Sequence, residues 1–336
     1  MRKSSRFFRR ADQTVKPDEY DVIRIILETV GQPASPYSKI GDDVAVLPRG
    51  EGDLVAKTDM LVRKTDVPKG METWQMARKS IVACVSDFAA KGVQPQAVLL
   101  SLALPATITR NEVKEMARGF KEARDEFGFN IVGGDTNEAD DIVIDCCMLG
   151  FAKRITERRG AAPGDRVVVT GMFGYQPVGL KVLQERLKVP EEVWSLAVSS
   201  VLLPTPRLQL GIELTAEELL SSSIDSSDGL ALSLHQLADA SEVGFEISRL
   251  PVDQGLSDAA EKIGLDLDAA VLYGGEEYEI VATIPENKLR WAKQTAEKLG
   301  QRLIEIGKVT SENGQVVFTD DSRSFEIERK GWIHLS

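Results

Sequence analysis

The segment Asn130-Ile131-Val132-Gly133-Gly134-Asp135-Thr136 runs from β-branched residues into two glycines and an aspartate. The apolar residues predict a short buried strand, and the paired glycines predict where it ends. A carboxylate at the exit of a buried strand is held on a rigid element and directed at one place. Asp135 is therefore a candidate functional residue, and the strand before it should belong to a sheet.

Strands and helices alternate on both sides of this segment. Helical periodicity predicts one helix around residues 23–30 that Gly31 ends, and two more over residues 73–91 and 111–127. Short apolar or alternating runs predict strands between the helices. This alternation predicts an α/β or α+β fold. The predicted strands of this half are residues 44–47, 54–56, 97–104 and 142–151.

A length of 336 residues suits two domains, each with its own core. The polar stretch from residue 154 ends in Ala162-Pro163-Gly164-Asp165, which is turn chemistry and marks a boundary. Beyond it we predict a strand over residues 166–170, a glycine-rich turn over 171–179 and then a helix. The predicted organisation is a basic N-terminal tail over residues 1–16, an N-terminal ATP- and metal-binding α/β domain over 17–153 and a C-terminal α/β domain over 154–336.

Composition and charge narrow the function classes. Hydrophobic residues make up 43% and charged residues 28% of the chain, which is ordinary globular composition. A net charge of −11 argues against nucleic acid as a partner, because such binding depends on clustered Lys and Arg. No segment has the length of apolar sequence that a membrane span or signal peptide needs, so we expect a cytoplasmic protein that does not bind membranes. Cys84, Cys146 and Cys147 form no CxxC pair and are interpreted as small buried side chains.

Five acidic motifs lie at the ends of apolar segments beside small residues. Each motif alone is ordinary turn chemistry. Together they would concentrate like charges, which hard divalent cations with oxygen ligands compensate best. With Thr58, Thr136 and Ser227 as further oxygen donors, the set predicts a multi-metal phosphate site that suits magnesium. The motifs are Gly41-Asp42-Asp43, Lys57-Thr58-Asp59, Ser86-Asp87, Gly133-Gly134-Asp135-Thr136 and Asp225-Ser226-Ser227-Asp228-Gly229.

The sequence contains neither the GxxxxGK[ST] motif nor a strand followed by GxGxxG. The glycines Gly171, Gly174 and Gly179 suit either an approach to a phosphate or a tight strand-to-helix connection. An ATP molecule would therefore be held mainly through its metal ions.

The acidic motifs, together with PGD at 163–165 and GGEEYE at 274–279, occur in an order and spacing that resemble the thiamine-monophosphate kinase family. That family lies within the superfamily of aminoimidazole ribonucleotide synthetase, selenophosphate synthetase and a hydrogenase maturation factor. The resemblance extends from about residue 20 to the end of the chain. It implies a two-domain fold with mixed sheets flanked by helices, and a homodimer with ATP sites near the interface.

The resemblance also assigns roles to residues. It implies that several Mg²⁺ ions bridge the ATP phosphates and that ATP is a co-substrate, with Lys57 adjoining the metals through its backbone carbonyl. The metal set is Asp43, Lys57, Thr58, Asp59, Asp87, Asp135, Asp225 and Asp228. The ATP set is Gly134, Asp135, Arg158 and Ser227, and the substrate set is Asp66, Glu276 and Trp332.

The function implied is direct in-line transfer of the terminal phosphoryl group of ATP to thiamine monophosphate, which yields thiamine diphosphate and ADP. A phosphate nucleophile is already ionised at neutral pH, so no side chain is expected to act as a general base. Positioning and charge neutralisation by the metals would carry the catalysis.

Two departures from the family pattern leave alternatives open. Asp66 stands where bacterial members have a histidine, and Cys84 stands where they have an asparagine. A related enzyme that activates a ribonucleotide amide, or a non-catalytic sensor of nucleotides or thiamine phosphates, would also fit the acidic motifs. At single positions a structural role is the alternative: a surface charge for Arg158, a turn for Glu276 and terminal packing for Trp332.

Overall fold

The computed structural model describes residues 19–32 and 53–332, and it contains two mixed β-sheets flanked by helices. The predicted fold class is therefore confirmed. The predicted N-terminal tail, the predicted strand at 44–47 and the candidate metal ligand Asp43 lie outside the described residues.

The first sheet has four strands in the order β1-β4-β2-β3. Strands β2 and β3 are parallel, and the other neighbours are antiparallel. Residues of β4 alternate between buried and half-buried, because helices cover only one face of the sheet. The strands are β1 Asp53–Val62, β2 Pro95–Leu104, β3 Asn130–Glu138 and β4 Val143–Ala152; the helices are α1 Glu19–Val30, the short α2 Arg63–Asp66, α3 Thr73–Lys91 and α4 Arg110–Phe127.

The second sheet has seven strands in the order β11-β10-β7-β9-β5-β8-β6, in which only β10 and β7 are parallel. Its strands are β5 Arg166–Val169, β6 Ser222–Asp225, β7 Gly244–Ile247, β8 Ile280–Ile284, β9 Ile304–Thr310, β10 Val316–Thr319 and β11 Ser324–Glu326. Its helices are α5 Tyr175–Glu185, α6 Glu191–Leu202, α7 Leu208–Ala216, α8 Leu230–Ser241, α9 Gln254–Ile263, α10 Leu267–Tyr273 and α11 Leu289–Lys298, with a 3₁₀ turn at Glu286–Lys288.

Local sequence explains most helix ends. Thr109 and Glu112 form a capping box that begins α4, as Glu72 and Gln75 do for α3. The predicted turn over residues 171–179 is too long, because α5 already begins at Tyr175. Gly179 lies inside that helix, where a Cβ atom would come within 2.0 Å of the carbonyl oxygen of Ala197 in α6.

Within residues 19–32 and 53–332, no helix combines the length and apolar character that crossing a membrane requires.

Helix α3 joins the two halves of the molecule. It packs on β1, β4 and α4 of the first half, and on α7, β6 and β8 of the second. Apolar side chains of α3 such as Phe88 belong to one continuous buried cluster with Leu210 of α7 and Ile280 of β8. Residues at the end of α3 are therefore fixed relative to both sheets.

The contact between α3 and α4 depends on Gly119. A Cβ atom there would lie 2.0 Å from the carbonyl oxygen of Trp74, which cannot move without bending α3. We expect Gly119→Ala to lower the free energy of unfolding by about 1–3 kcal/mol, measured by chemical denaturation. Gly255→Ala in α9 is the control, because its Cβ would meet nothing closer than 3.4 Å and alanine favours a helix. An equal loss in both variants would contradict the close-packing explanation.

Candidate active site

Two aspartates contact the ammonium group of Lys57, and a third acts on it electrostatically. Its Nζ lies 2.7 Å from a carboxylate oxygen of Asp87, in the last turns of α3, and 3.5 Å from one of Asp59. Lys57 and Asp59 are two residues apart on β1 and share one face of the sheet. Asp225, at the end of β6, accepts a 2.9 Å hydrogen bond from Ser86 beside Asp87. We call Lys57, Asp59, Asp87 and Asp225 the acidic cluster.

The acidic cluster carries more negative than positive charge in a partly dry environment. Burial raises the pKa of Asp225 to about 7, and the nearby carboxylate of Asp87 adds to the effect. Burial also raises the pKa of Asp59. Burial opposes the charge on Lys57, but Asp87 and the other carboxylates outweigh it and raise the pKa of the ammonium group. One lysine therefore compensates the cluster only in part.

The donors of the acidic cluster are of the type that magnesium prefers, which is carboxylate oxygen. Within the described parts of the chain no three acidic, histidine or cysteine side chains converge on one point as metal ligands. The ammonium of Lys57 lies between the carboxylates of Asp59 and Asp87. Carboxyl groups with raised pKa values gain from a nearby cation. The chemistry of the cluster therefore fits a divalent cation that shares this space with Lys57.

Thr58 lies apart from the acidic cluster. Its side chain points to the other face of β1, where its hydroxyl donates a 2.8 Å hydrogen bond to Asp145 of β4. Asp135 lies on that other face too, because it is in register with Ser101 and, through it, with Asp145. Two strands separate β1 from β3, so the first sheet does not bring Asp135 to the acidic cluster.

Gly134 and Arg158 are both exposed. A Cβ atom at Gly134 would come within 1.8 Å of the carbonyl oxygen of Leu100, so only glycine fits at this point of β3. Arg158 lies in the connection between the two sheets, near Lys91. Burial and the positive charge of Arg158 lower the pKa of Lys91 to about 8, which places Arg158 within electrostatic reach of the end of α3.

The loop after Asp225 is held by the segment that contains Glu276. The amide of Glu276 donates a 2.6 Å hydrogen bond to the carbonyl of Ser227, and the amide of Tyr278 donates one of 3.0 Å to Ser226. The amide of Trp332 donates to the carbonyl of Asp228 at 3.0 Å, and the Trp332 side chain is 55% exposed. The predicted metal, ATP and substrate residues of the second half thus meet through their backbones.

Two residues that sequence reasoning missed connect the predicted substrate residues. The ammonium of Lys79 in α3 lies 2.6 Å from a carboxylate oxygen of Glu276 and donates to the carbonyl of Asp66 at 2.7 Å. The amide of Gln176 donates to the other carboxylate oxygen of Glu276 at 2.8 Å. A signal for Lys79 was present, because it lies seven residues before Ser86 on the same stripe of a largely apolar helix.

Comparison with known proteins places this arrangement in a family. The AIR synthase related protein N-terminal domain matches residues 41–152, and the AIR synthase related protein C-terminal domain matches residues 162–320. The chain is 39% identical over 320 residues to the thiamine-monophosphate kinase of Nitrosopumilus maritimus (strain SCM1), across 95% of this chain and 99% of that one. The chain belongs to the thiamine-monophosphate kinase family.

Other members of the thiamine-monophosphate kinase family agree with this assignment. The enzyme of Pyrococcus abyssi is 38% identical over 300 residues, which is 88% of this chain and 91% of that one. The solved structure of AaThiL complexed with AMPPCP and TMP superposes with a TM-score of 0.75 at 28% identity, over 94% of this chain and 97% of that one. The family resemblance predicted from the ordered motifs is confirmed.

The buried carboxyl of Asp225 makes stability depend on pH. Its pKa of about 7 in the fold exceeds the value near 4 of an unfolded aspartate, so the native state binds the extra proton. Its contribution to stability is fully present below about pH 4 and is lost as pH rises through 7. In EDTA, we expect the Tm of Asp225→Asn to rise relative to wild type between pH 4 and pH 8. Asp239→Asn removes an exposed carboxyl and is the control, so its Tm should depend on pH as the wild-type Tm does. If Asp225→Asn also followed the wild-type dependence of Tm on pH, burial of Asp225 would not be the cause.

Proposed function

We propose that this chain transfers the terminal phosphoryl group of ATP to thiamine monophosphate, with magnesium, to give thiamine diphosphate and ADP. The observation that carries the proposal is the 2.6 Å hydrogen bond from the amide of Glu276 to the carbonyl of Ser227. This hydrogen bond holds Glu276, which is proposed to bind the phosphoryl acceptor, directly against the loop that begins at Asp225. A donor phosphate at that loop and an acceptor at Glu276 would be neighbours.

The family supports both substrates. AaThiL, a structural relative, is complexed with AMPPCP, whose name denotes an ATP analogue, and with TMP. In this chain, we propose that the ATP analogue corresponds to a ligand at the loop that begins at Asp225, and that TMP corresponds to a ligand at Glu276. Gly134, Asp135, Arg158 and Ser227 are proposed for ATP, and Asp66, Glu276 and Trp332 for thiamine monophosphate.

Magnesium is proposed from the donor chemistry of the acidic cluster. The residues that would hold it beside Lys57 are Asp59, Asp87 and Asp225 of the cluster and Asp228 of the loop that follows Asp225. Asp43, Thr58 and Asp135 stay proposed as ligands of further ions, and Thr58 and Asp135 would act from the opposite face of the first sheet. When bound, magnesium neutralises the phosphate charges and orients the transferred group. Asp225 would gain from this neutralisation, because its carboxyl is buried near the carboxylate of Asp87.

The protein groups bind and orient rather than move protons. The carboxylate of Glu276 and the exposed ring of Trp332 suit a flat cationic thiazolium. The acceptor phosphate needs no general base. His235 is buried in α8 and donates to the carbonyl of Ile327 at 2.8 Å, which is a structural role.

Turnover with defined acceptors tests the proposed reaction. With ATP and magnesium, we expect equal amounts of ADP and thiamine diphosphate from thiamine monophosphate, and neither product from unphosphorylated thiamine. ADP without thiamine diphosphate would favour the alternative acceptor, and ATP binding without ADP would favour the sensor.

A pair of variants links this activity to the acidic cluster. Asp87→Asn should lower kcat on the order of a hundredfold or more, since it removes a proposed ligand and the main partner of Lys57. Asp125→Asn, in an exposed ion pair on α4, should leave kcat within about twofold.

We infer that the chain forms a homodimer through the face of the first sheet that helices leave uncovered. We call this surface the open face. Leu54 and Met60 of β1 are 57% and 58% exposed there. Half-buried Leu149 and Phe151 of β4 lie across from β1 on the same side. A two-fold contact would bury these apolar side chains, and it would bring the sites around Asp135 near the interface.

One substitution on the open face tests the dimer. Met60→Asp places a charge in the proposed contact, so we expect a shift from dimer to a monomer of 36.8 kDa in sedimentation at micromolar concentration. Trp291→Asp is the control, because Trp291 is equally exposed at 58% but lies on α11 of the second half. A monomeric wild-type protein would overturn the inference.

The cytoplasm is the location we propose, since ATP is the proposed donor. The three cysteines are free, and Cys84 and Cys146 are buried, which fits a reducing compartment. We propose neither nucleic acid nor a membrane as a partner, because the net charge is −11 and the sequence has no apolar segment of the length that a membrane span needs. The domain division after residue 153 stays a prediction that the end of β4 at Ala152 supports.

A further inference from the structure

The carboxylate of Glu276 is held at both oxygen atoms. Lys79 contacts Oε1 at 2.6 Å, and Gln176 donates to Oε2 at 2.8 Å. Both partners come from helices, α3 and α5, and both are almost fully buried, at 2% and 1% exposure. The carboxylate therefore cannot turn without breaking a contact to a rigid element.

The backbone of Glu276 is constrained as well. Its φ angle is +62°, in the left-handed region that residues other than glycine adopt at a cost in free energy. Its amide is bonded to the carbonyl of Ser227 at 2.6 Å. Side chain and backbone together are fixed by three different elements, which is more constraint than a surface turn needs.

Lys79 connects Glu276 to the other proposed substrate residue. Its ammonium also donates to the carbonyl oxygen of Asp66 at 2.7 Å. The Asp66 carboxylate accepts a 2.6 Å hydrogen bond from the amide of Val62, which closes the short helix α2 onto the end of β1. A single buried cation thus holds one segment from each half of the molecule.

This arrangement is costly for stability. The buried ammonium of Lys79 loses its hydration, and the carboxylate of Glu276, at 30% exposure, keeps only part of its own. An apolar side chain in place of a buried charged one often stabilises a fold as well or better. The Oε1 atom of Gln176 is buried and has no hydrogen-bond partner in the part of the chain that the structure describes, which is a further cost. Packing alone does not account for a polar trio at this junction.

We propose that Lys79 and Gln176 are positioning residues for the phosphoryl acceptor, acting through Glu276. Lys79 and Gln176 hold the Glu276 carboxylate, and Lys79 holds the Asp66 backbone, in the geometry that receives the acceptor's cationic heterocycle. The inference rests on the proposed kinase function and adds two residues to its acceptor site. Its consequence is selective, because acceptor binding depends on the trio and ATP binding does not.

Lys79→Met tests the selectivity, since it keeps the length of the side chain and removes the charge. We expect the KM for thiamine monophosphate to rise on the order of tenfold to a hundredfold, the range for losing a hydrogen bond to a charged group. The KM for ATP should stay within about twofold. Gln176→Leu should shift the same constant in the same direction, and it takes over the test if Lys79→Met does not fold.

Arg78→Met is the matched control. Arg78 is the preceding residue of α3, is 6% exposed and forms an ion pair with Glu126 of α4, away from Glu276. It should lower the Tm while leaving both KM values within about twofold. Glu126→Gln breaks the same pair from its more exposed side if Arg78→Met is too unstable to assay.

A double-mutant cycle separates positioning from a general structural effect. If Lys79 acts through Glu276, then Lys79→Met combined with Glu276→Gln should raise the KM for thiamine monophosphate no more than the stronger single variant. If the two substitutions multiplied their effects on the KM for thiamine monophosphate, the inference would be overturned. An unchanged KM in folded Lys79→Met would also overturn it. Wild-type protein that makes no thiamine diphosphate would instead overturn the proposed function, so the two failures are distinguishable.

Discussion

Helix α3 is buried on both sides, and this burial determines how the two halves of the molecule fit together. Every polar side chain on a buried helix needs a partner, because an unpaired polar group in a dry environment costs free energy. The partners of α3 come largely from the second half. Arg78 donates to the carbonyl of Pro204, Lys79 binds Glu276, Ser86 donates to Asp225 and Lys91 donates to the carbonyl of Ser223. These polar contacts specify one docking of the halves, whereas apolar contacts alone would allow small shifts.

The same contacts assemble the acidic cluster. Ser86 and Asp87 are consecutive on α3, so one faces Asp225 of the second sheet while the other faces Lys57 of the first. The helix thereby brings carboxylates from both sheets together although their repulsion opposes it. The core that surrounds α3 provides the stability that this repulsion removes. A site that binds polyanions through cations can tolerate surplus negative charge, since the cations relieve it when they bind.

Periodicity and ordered motifs predicted much of the fold and the family. The helix over residues 73–91 and the existence of the strand at Asn130 depend on local patterns, and local patterns are visible in a sequence. The predicted end of that strand at the paired glycines was wrong, because β3 stays paired with β2 through Asp135 and ends at Glu138. The contact of the Lys57 ammonium with Asp87 could not be predicted, because the two residues lie 30 positions apart. The electrostatic effect of Asp225, which lies 168 positions away, could not be predicted either. Lys79 could be recognised as a cation on the buried stripe of α3, but its partner Glu276 could not, because only the docking of the two halves brings them together. The placement of Thr58 depends on which face of β1 the helices cover, and the motif does not contain that information.

Asp66 shows how a long-range contact changes the meaning of a residue. An aspartate in place of the family histidine adds a negative charge, which repels an acceptor phosphate close to it. In the fold its carboxylate accepts the amide of Val62 and its carbonyl accepts the ammonium of Lys79, so the segment joins a local turn to a buried cation. Lys79 contacts only the backbone carbonyl of Asp66 and forms its ion pair with Glu276, so it lowers the negative potential near Asp66 without neutralising the Asp66 carboxylate. The nearby ammonium of Lys79 therefore reduces, and does not cancel, the repulsion that Asp66 would exert on an anionic acceptor, and the two residues should be considered as one unit.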